Sequence, residues 1–110
     1  MDTLTRMRAF VAVVDNEGFS AAARAQGRSK ALLSKYVREL EDDLGVLLLN
    51  RTTRQFSLTE SGHVYYRRAL DLLRDFDDLR EEIRDARAGL SGTIKLSAPP
   101  LSGMVLQLAR

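Results

Sequence analysis

Apolar and polar positions in the first half of the chain alternate with the three- and four-residue steps of amphipathic helices. The first run ends before Gly18 and consists of Leu4, Met7, Phe10, Val11 and Val14. A short second run follows Ser20, which can cap a helix, and is closed by Gly27. A third run begins after Ser29, ends before Gly45 and carries the apolar stripe Leu33, Tyr36, Val37, Leu40 and Leu44. Two short helices joined by a tight Gly-containing turn predict a helix-turn-helix.

Two short strand-like runs follow the third helix, over residues 46–49 and 55–58. They flank the polar segment Asn50-Arg51-Thr52-Thr53-Arg54. This pattern predicts a two-stranded wing with a basic tip. The alternative is a generic small helical core with a surface hairpin.

Residues 60–88 contain one glycine, no proline and dense alternating charge, which predicts a single long helix. Its apolar positions recur in steps of four and three, the pattern of a coiled-coil seam that needs a partner. We expect this seam to form a dimer through Tyr65, Ala69, Leu72, Phe76, Leu79 and Ile83. The alternative is that it covers the first helix of its own chain. The charges beside the seam, Asp75 and Glu82 against Arg80 and Arg87, favour a parallel pair.

From Gly89 the helical pattern breaks. Residues 89–92 indicate a hinge, and residues 93–97 alternate as a short strand before Pro99. The chain therefore divides into a winged helix-turn-helix at 1–59, a linker helix at 60–88 and a tail at 89–110.

The positions of the charged residues are more informative than the net charge, which is only +2. Five basic residues and no acidic one lie between Arg24 and Arg38, whereas residues 39–43 carry four acids and no base. This polarity opposes the helix dipole, which favours acids at the N-terminus. Lys35 and Arg38 fall opposite the apolar stripe together with Ala31, flanked by Lys30 and Ser34. A DNA partner explains the inversion, and the alternative is a merely solvated charged face.

The amino-acid composition excludes several other classes of protein. A hydrophobic content of 45% with 29% charged residues excludes a disordered chain, and the absence of Cys excludes a disulfide scaffold and a Cys-based zinc site. His63 is the single histidine, so we expect no metal cluster, no catalytic triad and no cofactor, which makes an enzyme the least supported class. The longest apolar runs are too short to span a membrane, so we expect a cytoplasmic protein.

A family resemblance rests on many short matches in a fixed order. The matches run from residues 10–14 and 18–23 through Ser34-Lys35 and Leu44-Gly45-Val46 to 50–54 and 58–62. Over residues 1–97 the chain resembles the N-terminal domain of LysR-type transcriptional regulators. The resemblance implies a winged helix-turn-helix, antiparallel dimerising linker helices and an effector-sensing domain that begins near Gly92, just inside which this chain ends. By position, it places base-reading residues at Lys30, Ala31, Ser34 and Lys35, and wing contacts at Arg51, Thr53 and Arg54.

We therefore expect a mainly α chain that binds promoter DNA in a sequence-specific way as a dimer. The expected DNA contacts also include Ser20 and Ser29 at the helix starts, Leu32 and Arg38. Expected partners are double-stranded DNA, a second copy through the linker helix, a tetramer in the full-length protein, and a small-molecule effector only through the missing C-terminal domain. The alternative is a coiled-coil interaction module with an incidental basic helix, which would lack the steep salt dependence of DNA binding.

Overall fold

A computed structural model describes residues 3–52 and 54–90, with Leu90 described by its backbone alone. Four helices form within those residues: α1 (Thr3–Asp15), α2 (Phe19–Gln26), α3 (Lys30–Leu44) and α4 (Glu60–Leu90). This order confirms the mainly α prediction. Two compact units divide the chain between Asp75 and Phe76, within α4. Thr53 and the predicted strand at 93–97 lie outside the described residues.

The C-terminus of α1 differs in detail from the prediction. The helix ends at Asp15, and the amide of Gly18 donates to the Val13 carbonyl at 3.0 Å while that of Glu17 donates to Val14 at 3.1 Å. This pair of bonds defines a Schellman turn, in which one residue adopts the left-handed conformation. That residue is Glu17, with φ of 54°, and not the expected glycine.

The predicted capping role of Ser20 is wrong. α2 begins at Phe19, two residues before the predicted first helical residue, its N-cap is Gly18, and no side chain caps it. Ser20 is instead an exposed residue of the first turn. The predicted end is confirmed, because Gly27 has a left-handed φ of 64° and its amide donates to the Ala23 carbonyl.

α3 begins and ends where the sequence predicts. The Ser29 Oγ accepts a hydrogen bond from the Leu32 amide at 3.0 Å, and Gly45 closes the helix in the left-handed conformation. Four of the five stripe residues are buried, but Leu44 is 42% exposed, so its expected core role is wrong. The stripe packs on α1 and α2 in one core that contains Ala9, Phe10, Ala12, Val13, Ala22, Leu33, Tyr36, Val37, Leu40, Leu48 and Leu49.

The predicted wing is shorter than two full strands. A single antiparallel bridge joins Leu49 to Leu58, and the Asn50 amide donates to the Ser57 carbonyl at 3.0 Å. The Thr59 amide donates to Leu48 at 3.0 Å on the other side of the bridge. These bonds still bring residues 46–49 and 55–58 together as the prediction requires.

α4 begins within the first unit, where hydrogen bonds and packing fix its opening turns. Thr59 caps it, because its Oγ1 accepts from the Gly62 amide at 3.0 Å and also donates to the Leu47 carbonyl at 2.6 Å. Further along the same unit, Ala69 and Leu73 pack against Val11 of α1. The helix continues through Gly89, so the expected break at that residue is wrong.

Candidate nucleic-acid interface

The face of α3 opposite the core is basic and accessible. Lys30, Ala31, Lys35 and Arg38 are exposed, and the Lys35 side chain is 65% exposed. The angular prediction for these residues is confirmed, since the buried residues of α3 fall on the other side. Ser34 is half-buried, and Leu32 packs partly against the core, which gives Leu32 a structural role.

The N-terminus of α3 adds positive potential to this face. The helix has no acidic residue in its first turn and no basic residue in its last turn. Unpaired backbone amides and the helix dipole attract anions at such a terminus. Together with Lys30 and Lys35, they make the first two turns of α3 suited to a phosphate or a base edge.

Lys35 is restrained only weakly within the protein. Its Nζ lies 4.0 Å from Glu39, one turn later, while Glu39 also lies 3.4 Å from the Nε of Arg6 in α1. An exposed pair at this distance contributes little stability. The ammonium group therefore remains available to an anionic ligand.

Arg28 lies in the turn between α2 and α3 and leans on the aromatic ring of Tyr36. Its guanidinium carbon is 5.7 Å from the ring centroid, and its Nη1 donates to the tyrosine hydroxyl at 3.4 Å. A cation held over a ring face is favourable. The contact orders one member of the basic segment between Arg24 and Arg38.

Glu41 is the functional residue that sequence reasoning missed. Its side chain is 4% exposed, and its Oε2 accepts from the amides of Leu48 at 2.8 Å and Leu49 at 3.1 Å. Its Oε1 accepts from Arg51 at 2.7 Å. One carboxylate thus joins the last turns of α3 to the start of the wing. The available signal was its spacing, four residues after Val37 and on the buried side of the helix.

Two of the predicted wing residues, Arg51 and Arg54, differ in their contacts and exposure. Arg51 is paired with Glu41 and its side chain is only 33% exposed, so it serves first to hold the wing in place. Arg54 is exposed. Thr53, the third predicted wing contact, lies outside the described residues.

The predicted dimerisation seam begins with two residues that pack within their own chain. Ala69 is 1% exposed, and Tyr65 packs edge-on against Phe10 with ring centroids 5.5 Å apart. These contacts agree with the alternative that part of the seam covers the first helix of its own chain. The four later members of the seam are exposed by 37% to 57%: Leu72, Phe76, Leu79 and Ile83.

The described residues contain neither a membrane span nor a metal-ligand cluster. None of the four helices has an apolar stretch of the length needed to cross a membrane. Across residues 3–52 and 54–90, no three His, Cys, Asp or Glu side chains are grouped as metal ligands.

Comparison with known proteins agrees with this geometry. Residues 4–63 match the family described as bacterial regulatory helix-turn-helix protein, lysR family. The chain is 43% identical over 96 residues to the HTH-type transcriptional regulator PtxR of Pseudomonas aeruginosa, covering 87% of this chain and 31% of that protein. It is 42% identical over 100 residues to the HTH-type transcriptional regulator CrgA of Neisseria meningitidis, covering 90% of this chain and 32% of that protein. The chain thus spans about a third of the length of these relatives.

A similar fold occurs in a solved complex with DNA. The crystal structure of BenM_DBD with catB site 1 DNA matches with a TM-score of 0.76 and 34% identity, over 81% of this chain and 95% of that one. The match covers more residues than the helix-turn-helix alone. It confirms the predicted winged helix-turn-helix architecture.

Proposed function

Because this chain belongs to the lysR family of bacterial regulatory helix-turn-helix proteins, we propose that it is the DNA-binding part of a transcriptional regulator. The observation that carries the proposal is the exposed, acid-free N-terminal face of α3. A recognition helix enters the major groove with its N-terminal residues toward the bases. A protein of this kind acts on chromosomal DNA, so the cytoplasm is the location that we propose for it.

The exposed residues fall into groups according to the DNA contacts that they can make. Lys35 and Lys30 can reach guanine acceptors or phosphates, and Ser34 and Ala31 border them on the same helix. Arg38, Arg54 and the helix-start residues Ser20 and Ser29 suit the phosphate backbone. Arg51 acts through the wing that it and Glu41 hold.

In this proposal, a second copy of the chain completes the DNA-binding dimer. Leu72, Phe76, Leu79 and Ile83 offer an exposed apolar seam on α4. Two chains joined along α4 read the two halves of an inverted repeat. Residues 1–59 then recognise DNA, residues 60–88 dimerise, and residues 89–110 lead into the remaining part of a longer regulator. That remaining part would bind an effector and assemble tetramers.

Salt dependence tests whether the basic face binds DNA at all. Binding to a duplex releases counterions, so log affinity should fall by about 0.9 per log unit of salt for each phosphate neutralised. We expect a steep, linear loss of affinity in a titration followed by fluorescence anisotropy. A flat salt response would instead favour a coiled-coil interaction module.

Lys35→Ala should weaken binding to the preferred DNA site by about 1–3 kcal/mol, because it removes a side chain that reads a base. Binding to unrelated duplexes should change much less. Isotherms on the preferred site and on a scrambled site measure both effects. An unchanged isotherm on the preferred site would exclude the base-reading role of Lys35.

Arg54→Ala is the matched change on the wing, and we expect it to weaken binding to all duplexes by the same factor. A phosphate contact carries no sequence information, and its loss reduces the salt slope by about one. The same two duplexes at several salt concentrations provide the measurement. A loss confined to the preferred site would show that Arg54 reads bases.

Phe76→Glu should convert dimers into monomers, because it places a charge in the exposed seam of α4. We expect the dimer dissociation constant from sedimentation equilibrium to rise at least about tenfold. Dimers that persist with unchanged affinity would place the association elsewhere.

A further inference from the structure

A cavity of about 330 Å³ opens in the first unit, where α1, the end of α2 and α3 meet. Its volume lies at the lower end of the range for small-ligand sites. Its polar lining consists of Thr5 and Arg8 of α1, Gln26 of α2, Arg28 of the turn and Tyr36 of α3. These side chains come from separate parts of the sequence, and only the fold brings them together.

Every polar side chain of this lining can donate a hydrogen bond. Arg8 and Arg28 add two positive charges, while Thr5, Tyr36 and Gln26 supply two hydroxyl groups and an amide. Among the described residues that line the cavity, none is acidic. Cationic and neutral donors without a carboxylate among them favour a ligand that is an oxyanion.

Tyr36 orders the donors on one side of the cavity. The residue is only 5% exposed, and its hydroxyl accepts a hydrogen bond from Nη1 of Arg28 at 3.4 Å. A phenol can accept and donate at once, so its own proton can still go to a ligand oxygen. The tyrosine ring also holds the guanidinium carbon of Arg28 5.7 Å from its centroid. Because both groups are in place before a ligand arrives, binding costs less conformational entropy.

A neighbouring cavity limits where an anion can lie. It shares Arg8 and Gln26 with the first cavity, but its lining includes Asp15. The Asp15 carboxylate accepts a hydrogen bond from the Tyr66 hydroxyl at 2.5 Å. Its negative charge repels an anion, which therefore stays at the end of the groove that Arg28 lines.

The cavity is separate from the basic face that we propose for DNA. Among the described residues of α3, Tyr36 alone lines the cavity, and it belongs to the buried side of the helix. Lys35 and Arg38 are exposed on the other side. A duplex that lies along the basic face therefore leaves the cavity to a smaller ligand.

We propose that this cavity binds the phosphate group of a small molecule, with inorganic phosphate as the simplest case. Each guanidinium, of Arg8 and of Arg28, offers a pair of parallel N–H donors that match two phosphate oxygens. The hydroxyl groups of Thr5 and Tyr36 then donate to the remaining oxygens. A tetrahedral phosphate satisfies more of these donors than a planar carboxylate does. The site adds a ligand-binding function to the proposed DNA binding.

Titration with inorganic phosphate tests the site without DNA. Calorimetry on the full chain, at an ionic strength held constant with sodium chloride, should show saturable binding of one phosphate per chain. Arg8→Gln and Arg28→Gln should each weaken this binding at least about tenfold. Arg67→Gln is the matched control, because Arg67 is an exposed arginine of the same unit outside the cavity lining, and it should bind like the wild type. No saturable binding, or equal affinity in both cavity variants, would overturn the proposal.

Tyr36→Phe separates phosphate binding from folding. It keeps the ring that packs in the core and beneath Arg28, and it removes only the hydroxyl group. We expect a melting temperature close to that of the wild type and a phosphate affinity about tenfold lower. A folded variant that binds phosphate as tightly as the wild type would overturn the site as described.

A phosphate of the DNA backbone has the same chemistry, so competition separates the two sources. At constant ionic strength, saturating phosphate should displace a labelled duplex from the wild type no more than from Arg8→Gln, as measured by fluorescence anisotropy. Greater displacement from the wild type would mean that the cavity receives the DNA backbone, and it would overturn a separate ligand site. The calorimetric test needs no DNA, so a failure of the proposed function would leave this inference standing.

Discussion

Glu41→Ala is expected to lower the free energy of unfolding by about 3–5 kcal/mol, because it removes a buried charge that three donors depend on. The amides of Leu48 and Leu49 would lose their acceptor, and Arg51 would lose its counter-charge. Buried donors without a partner keep the full penalty of desolvation. Urea denaturation followed by circular dichroism measures the change.

Asp42→Ala is the matched control for Glu41. Asp42 is the next residue of the same helix and is exposed, so its loss should change stability by less than about 0.5 kcal/mol. DNA affinity gives a second readout, because the wing depends on Glu41. A Glu41→Ala protein as stable as Asp42→Ala would show that the carboxylate does not hold the wing.

Gly62→Ala should destabilise the protein by about 3 kcal/mol through a direct clash in the first turn of α4. A Cβ at this position would overlap the Leu48 carbonyl oxygen and lie 3.2 Å from the Leu58 Cβ. Neither the carbonyl, which also accepts from the Thr59 amide, nor the bridge residue can move without disturbing the wing. The penalty outweighs the better helix propensity of alanine.

Gly89→Ala makes the same change in the same helix without the clash. Within the described part of the chain, a Cβ at Gly89 would meet no tertiary neighbour within 4 Å, so alanine should preserve stability and raise the helical signal slightly. Thermal unfolding of the two variants side by side provides the comparison. Equal melting temperatures would show that the close approach at Gly62 is unimportant.

The local features of the fold were predictable because they depend on neighbours in sequence. Ser29, Gly27 and Gly45 mark helix ends through bonds that span three or four residues. The buried side of α3 follows from the helical period alone, and so does the exposure of Lys35 and Arg38.

The features that the sequence did not predict depend on tertiary contacts. The spacing of the acidic run at residues 39–43 puts Glu41 on the buried side of α3, but it does not show that the carboxylate accepts hydrogen bonds from the wing. Gly62 gives no sign of the carbonyl that crowds it. A heptad pattern is satisfied equally by a second chain and by a helix of the same chain, which is why the pattern alone places Tyr65 and Ala69 in the dimer. Ser20 is a suitable cap by residue type, but Gly18 occupies that position.

In the proposed dimer, α3 of one copy reads the DNA sequence of one half-site while α3 of the second copy reads the other. Selection of bound duplexes from a random pool tests this most directly, with the full chain at a salt concentration that suppresses non-specific binding. We expect enrichment of an inverted repeat. With Lys35→Ala, we expect the base preference to be lost at corresponding positions of both half-sites. A pool that emerges with no enriched sequence, or with one that Lys35→Ala selects equally well, would contradict it.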